Sequence, residues 1–478
     1  MSKITISVQI PCHLDSPVLI AAIFICSIGG TFQYGFSVSV MTSPSAVSEM
    51  VSLIWSFTVS IFCIGGLIGS LMSGPLTSRF GRKRCLLLNN FLAIFGAILM
   101  LLSRTAISFE MIIVGRFLYG INSAQTMYLT ESAPKKLKGM VGLDSCIISK
   151  SVFPLYRELL GSEKNWPWLL SFNGFTAFLQ LCTLPLLPES PRFLLLERGN
   201  LQAAEKAFRK LWGKKDYTKE VEEMLEEKAA IQGIGNCSVL ELIQNRRVRW
   251  QLLTIVIAFA ALQLNGISAV YFYSFDVFRA AGIKENKLAY AALGTGLCEV
   301  STSIVCFMII ESMSRKVLLF SGYMGMAATM GVLTVTIYFQ KSFWWMPYCS
   351  MVLFFLFIFF FSSGPGMCIL QWEILTQSFK SAGYTVGCTI NWICLFVLGA
   401  LFPILVNLGN FCFLIFLAAC LICGIHVRFN MPETKNRTAL EISVEFDRMH
   451  SQSNPTEGIR LCGPCGQLCR SAPLRGDV

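Results

Sequence analysis

Apolar positions in this chain come in unbroken stretches of about 20 residues, not in alternation and not at three- and four-residue intervals; a helix of that length crosses a bilayer core of about 30 Å. In the first part of the chain they cover 17–40, 52–74, 85–104, 109–130, 139–157 and 166–187. In the second they cover 250–275, 288–310, 317–339, 345–372, 384–406 and 409–430. The pattern predicts an all-α membrane protein with twelve transmembrane helices, six and six. The fifth stretch is the weakest, since it carries Asp144, Lys150 and Arg157. The first follows a mixed segment, 1–16, and is long enough to remain as a span rather than be removed as a leader.

Polar positions concentrate between the two sets. Residues 188–249 form the extended charged region, and amphipathic helices are expected there, with Leu201, Ala204, Phe208 and Leu211 on one face. Glu220 to Lys228 reads as a solvated helix, and a third helix starts at Ser238 with Leu240, Leu242 and Ile243 apolar. The expected domains are therefore a segment 1–16, a six-helix bundle 17–187, a cytoplasmic helical cap or plain linker 188–249, a second bundle 250–430 and a tail 431–478. The end of the tail, 451–478, is rich in Ser, Pro and Gly and is expected to be disordered.

Composition sharpens this picture. The 478 residues are 54% hydrophobic and 14% charged, where a soluble domain carries about 25% charged residues. The net charge of +11 would point to nucleic acid in a soluble protein. Here the cations gather in loops: Arg79, Arg82, Lys83 and Arg84 after the second span, Lys135, Lys136 and Lys138 after the fourth, Arg315 and Lys316 after the eighth, Lys380 after the tenth, Arg428, Lys435 and Arg437 after the twelfth. Basic loops stay in the cytoplasm, so both termini are expected inside, provided the fifth stretch crosses. The sequons at Asn236 and Asn436 then face the cytoplasm and carry no glycan. Most of the 19 cysteines sit singly inside apolar runs, where they behave as small hydrophobes. His13, His426 and His450 form no metal-ligand cluster, and no nucleophile with a base stands out. No enzyme, metal, cofactor or nucleic-acid partner is expected; the lipid bilayer is. The oligomeric state is not legible.

Two marks repeat. Arg82-Lys83 and Arg315-Lys316 lie 233 residues apart, each followed by paired leucines, and the phrases Pro188-Glu-Ser-Pro-Arg192 and Pro432-Glu-Thr-Lys435 lie 244 apart. One near-constant spacing indicates parallel halves. Together with Gly115-Arg116, Glu131-Ser-Ala-Pro, Gln263-Leu-Asn-Gly266, Gly364-Pro-Gly366 and Asn391-Trp392, these phrases stand in the order of the sugar-porter family of the major-facilitator superfamily. The chain resembles a facilitative hexose transporter, nearer the class II branch for fructose and glucose, over residues of about 17 to 445.

The resemblance implies a major-facilitator fold and uniport of glucose or fructose by alternating access at the cell membrane. It places Gln263, Ser268, Asn391, Trp392 and Glu299 at positions that bind sugar, and Tyr273 at an outer gate. A sugar needs amides that donate and accept and an aromatic face for its ring carbons. An intramembrane amide can equally serve a neighbouring helix, and Glu299 can equally be a protonated helix–helix bond. It further implies an inner network linking the halves: Arg82, Glu131, Glu189 and Arg192 with Glu311, Arg315, Glu373, Lys380 and Glu433. Proton-coupled relatives carry an aspartate where this chain has Ser37, which favours passive transport.

The chain also departs from the family. Leu262 replaces an amide, Ser268 and Glu299 replace asparagines, and Cys146 falls near a further amide position. The loop after the first span is short, and the fourth, fifth and tenth spans are shortened; about five residues removed from a helix shorten it by about 7.5 Å. Two alternatives follow: a carrier of another small solute such as urate, or a non-transporting sensor or decayed paralogue.

Overall fold

The computed structural model describes residues 49–123, 165–196, 198–212, 239–245, 248–272, 287–309, 314–339, 342–365, 377–406, 412–434 and 439–450, with scattered positions elsewhere that include Gln33 and Ser37. Among the described residues the regular structure is helical. The N-terminal group comprises α1 (Glu49–Phe80), α2 (Arg82–Ala106), α3 (Glu110–Ser123) and α4 (Trp166–Thr183), the last prolonged by a short 3₁₀ turn at Leu184–Leu186. Three short helices follow: α5 (Pro191–Leu196), α6 (Leu201–Trp212) and α7 (Val239–Gln244). The C-terminal group comprises α8 (Arg249–Leu264), α9 (Ile267–Phe272), α10 (Leu288–Ile309), α11 (Arg315–Tyr338), α12 (Met346–Ser363), α13 (Gln377–Val406) and α14 (Cys412–Asn430), with α15 (Ala439–His450) behind it.

Five of these elements are long and apolar enough to cross a membrane: Arg82–Ala106, Trp166–Leu186, Arg315–Tyr338, Met346–Ser363 and Cys412–Asn430. On α2 the reason for their orientation is visible. Leu88, Phe91, Phe95, Ile98 and Leu102 are exposed along one stripe, while Asn89, Asn90, Ala93, Ala97 and Met100 are buried on the other face. A long apolar stripe open to the surroundings fits acyl chains, whereas water would penalise it. The weak fifth stretch, 139–157, lies outside the described residues.

In the N-terminal group α1 packs on α3, and α2 on α3 and α4; in the C-terminal group α11 packs on α12 and α14, α10 on α12, and α8 on α13 and α14. The groups meet where α1 runs against α13. One apolar core continues across that seam, from Val59, Phe62, Ala93 and Met100 to Trp392, Leu395 and Leu398.

Some details differ from the sequence reading. The seventh span is not one helix: it breaks at Asn265 and Gly266, between α8 and α9. On α6 the buried face is Ala204, Ala207, Phe208 and Leu211, while Leu201 is 42% exposed. Leu201 opens the helix, and Asn200 caps it by accepting from the Ala203 amide at 3.0 Å, so its side chain starts on the solvent side. Helix α6 rests on α5, and Lys210 Nζ donates to the Leu186 carbonyl at 2.8 Å, tying this segment to the end of α4. On α7 only Leu242 of the three expected apolar residues is buried, in a cluster with Val248 and Ala382.

Candidate functional site

The break in the seventh span builds the first half of the site. Gly266 has φ +91°, which a side chain rarely tolerates, and a Cβ there would fall 2.8 Å from the Phe416 ring. Asn265 stabilises the turn by accepting the Ile267 amide on its side-chain oxygen at 2.9 Å. The break brings the end of α8 over the start of α9, so that the Ser268 hydroxyl donates to Gln263 Oε1. Gln263 in turn donates from Nε2 to Asn391 Oδ1 of α13 at 2.7 Å. Gln263 and Ser268 are buried and Asn391 is half-buried. Three of the residues expected to bind sugar therefore form one hydrogen-bonded chain across α8, α9 and α13.

Trp392, next to Asn391, is buried. Its indole lies across the seam on α1, where a Cβ on Gly66 would fall 2.5 Å from the ring. Phe62 meets it edge-on, with ring centroids 5.8 Å apart. Chemically the arrangement offers paired amides and a hydroxyl that already satisfy one another, beside an aromatic face. Such groups can exchange partners with a polyhydroxylated ligand at little net cost, because each bond broken is replaced by another.

Opposite, the N-terminal group holds a buried polar cluster that sequence reasoning did not single out. Asn89 Nδ2 donates to both the carbonyl and Oδ1 of Asn122 at 2.7 Å, and Asn122 Nδ2 donates to Gln33 Oε1. Asn173 Nδ2 donates to Ser37 Oγ at 2.6 Å. Arg116 is 0% exposed and donates from Nη1 to the Ser37 carbonyl. Its guanidinium stands 4.8 Å over the Phe62 ring, and its Nε and Nη2 have no partner among the described residues. The signals available were the adjacent Asn89-Asn90 inside an apolar run and Gln33 in the first span. An amide among apolar neighbours needs a partner, and these amides hold the first span to α2, α3 and α4.

At the starts of α2 and α11 the two halves repeat one device. Glu189 Oε1 accepts from the Lys83 backbone amide at 2.9 Å, in the first turn of α2. Glu433 Oε1 accepts from the Arg315 backbone amide at 3.2 Å, at the first residue of α11. Where the first half has Gly81, the second has Ser314, whose hydroxyl donates to Glu433. Each carboxylate closes its own half and sits at a helix N-terminus, where open amides and the helix dipole favour negative charge. Arg82 is buried, with Nη1 donating to the Thr77 carbonyl at 3.3 Å and its guanidinium 4.8 Å over Phe193; Arg192 and Arg315 are half-buried. Of the remaining expected residues, Glu131, Tyr273, Glu311 and Glu373 lie outside the described residues. Glu299 and Lys380 sit on α10 and α13, with their side chains outside the description.

The family described as "Sugar (and other) transporter" matches residues 21–446. The chain is 39% identical over 468 residues to the human solute carrier family 2 facilitated glucose transporter member 11, covering 91% of this chain and 94% of that protein. Member 9 from Mus musculus is 39% identical, covering 91% and 87%, and member 5 from Ovis aries is 37% identical, covering 91% and 93%. Among solved structures, the proton:xylose symporter XylE bound to 6-bromo-6-deoxy-D-glucose superposes with a TM-score of 0.75 at 18% identity, covering 90% of this chain and 99% of that one. A partially occluded inward-open conformation of XylE from E. coli gives 0.73 at 19%, covering 88% and 100%. The structural likeness shows the major-facilitator fold.

Proposed function

Because the chain belongs to the sugar (and other) transporter family, whose members are membrane carriers and not enzymes, we propose that it carries glucose or fructose down their gradients by alternating access. The observation that supports this most directly is the chain Ser268–Gln263–Asn391 beside Trp392, placed where α13 of one helix group meets α1 of the other. A ligand held there touches the surfaces that must part when the groups rock, so its binding energy biases which side opens. Glu299 and Tyr273 complete the proposed binding site and outer gate.

Passive transport is supported by the first span, which carries no acid between Pro17 and Met41. At Ser37 the neighbouring cation, Arg116, is held by a backbone carbonyl instead of a carboxylate. The inner network is proposed to act in a second way besides capping. Arg82, Glu131, Glu189 and Arg192 face Glu311, Arg315, Glu373, Lys380 and Glu433 when the cytoplasmic side is shut, and separate when it opens. Exposed pairs contribute about 0–1 kcal/mol each, so only the set together shifts the two states. We place the protein in the cell membrane with both termini in the cytoplasm.

Uptake of labelled fructose, glucose and urate into proteoliposomes tests the reading. Hexose uptake that falls at least tenfold in Gln263→Leu supports it. Urate uptake without hexose uptake replaces the substrate, and no uptake of any of the three by well-inserted protein removes the transport function.

A further inference from the structure

Arg116 and Trp392 lie in different helix groups, yet the same side chain touches both. Phe62 of α1 offers its face to the Arg116 guanidinium at 4.8 Å and meets the Trp392 indole edge-on at 5.8 Å, with the ring planes at 70°. Phe62 is itself fully buried, as is Arg116. Burying a cation costs several kcal/mol unless something takes the place of water. Two guanidinium nitrogens have no hydrogen-bond partner among the described residues, and the group is held by the Ser37 carbonyl and faces the Phe62 ring. The ring is therefore not interchangeable with an aliphatic side chain of similar bulk. Its negative face is drawn to the cation, and this fixes the tilt of the ring. A ring of fixed tilt presents its edge in one direction, and an edge-to-face pair is favourable only over a narrow range of such angles. The indole has no room to compensate on its other contact with α1, since it already lies against the bare backbone of Gly66.

We infer that Phe62 is a positioning residue for ligand binding: held by Arg116, it sets the orientation of Trp392 and so of the aromatic wall beside Asn391 and Gln263. The inference rests on the sugar-carrier reading for its effect on affinity, but the orientation of the indole is measurable without any ligand. Phe62 acts through Trp392, the proposed ligand-binding residue that it touches.

The experiment compares Phe62→Leu, Phe62→Tyr and, as a lipid-facing control, Phe57→Leu in the full-length protein. Trp392 fluorescence is isolated as the difference between each protein and the same protein carrying Trp392→Phe. Phe62→Leu should change the emission maximum and raise acrylamide quenching of Trp392 about twofold, while Phe62→Tyr, which keeps the ring, stays at the wild-type value. In proteoliposomes Phe62→Leu should raise the KM for hexose about threefold to tenfold, the range expected for losing one aromatic pair, with the maximal rate changed less than KM. Tyrosine should restore the KM, and Phe57→Leu should leave it unaltered. The Leu effect should vanish in a Trp392→Phe background, since the partner it works through is gone. Wild-type Trp392 emission and quenching in Phe62→Leu overturn the inference, whether or not the protein carries hexose. A Leu effect on KM that persists undiminished without Trp392 also overturns it. If the wild type moves no hexose while the Trp392 signal changes as described, the carrier reading fails and the positioning stands.

Discussion

At the scale of single residues, the grouping of the C-terminal candidate residues was legible in the sequence, and the N-terminal polar cluster was not. Gln263, Asn391 and Trp392 stand in the family phrases and Ser268 at a position counted from one of them, and the structure joins Ser268, Gln263 and Asn391 by hydrogen bonds. Asn89, Asn122 and Gln33 stand in no such phrase. Their partners come from 33 and 89 residues away, and pairing at that range cannot be read from spacing along the chain. Gly266 is the residue on which the C-terminal arrangement turns. In Gly266→Ala the new methyl meets the Phe416 ring and the backbone is strained at φ +91°. Such a substitution costs about 1–2 kcal/mol, and the melting temperature of the detergent-solubilised protein should fall accordingly. Hexose affinity should fall with it, because Ser268 moves off Gln263. An unchanged melting temperature would mean that the break does not need glycine.

At the scale of elements, the apolar pattern placed most of the described helix ends within a few residues. It misjudged α1, which runs through Pro75 to Phe80 instead of ending near residue 74, α12, which ends at Ser363 instead of reaching 372, and α13, which starts at Gln377 instead of 384. It also missed the interruption between α8 and α9, because Asn265-Gly266 is too short a signal against the apolar residues on either side. In the sequence Glu189 and Glu433 read as members of a network linking the halves, not as helix caps. That each closes the helix beginning at Arg82 or Arg315 depends on the chain returning over 106 and 118 residues. A carboxylate at a helix N-terminus contributes about 0.3–1 kcal/mol through the dipole, so Glu189→Gln and Glu433→Gln should each lower thermal stability slightly. The two caps hold different amides, those of Lys83 and Arg315, and the double substitution should be additive within about 0.5 kcal/mol. A double substitution costing no more than either single one would show that the two glutamates act as one clasp and not as two caps.

At the scale of the whole molecule, carriage without ion coupling has a direct signature. Hexose in proteoliposomes should reach equal concentrations inside and outside, and dissipating a proton gradient should leave the initial rate unchanged within error. Accumulation against the gradient would contradict passive transport. Orientation has a signature too: Asn236 and Asn436 should carry no glycan in a secretory-pathway host, so endoglycosidase treatment should leave the electrophoretic mobility unaltered. Occupancy of either sequon would invert the assigned sidedness. The seam itself is tested by Gly66→Val, whose branched side chain would occupy the volume of the Trp392 indole. It should reduce hexose turnover at least tenfold while leaving membrane insertion intact.

That seam carries a consequence for how this carrier diversifies. The indole proposed to flank the ligand also fills the hollow left by a missing side chain on the opposing helix. One piece of aromatic mass therefore governs both how firmly a cargo is gripped and how closely the two moving bodies nest. If Trp392 grips the cargo as proposed, a substitution at this spot shifts preference and speed together.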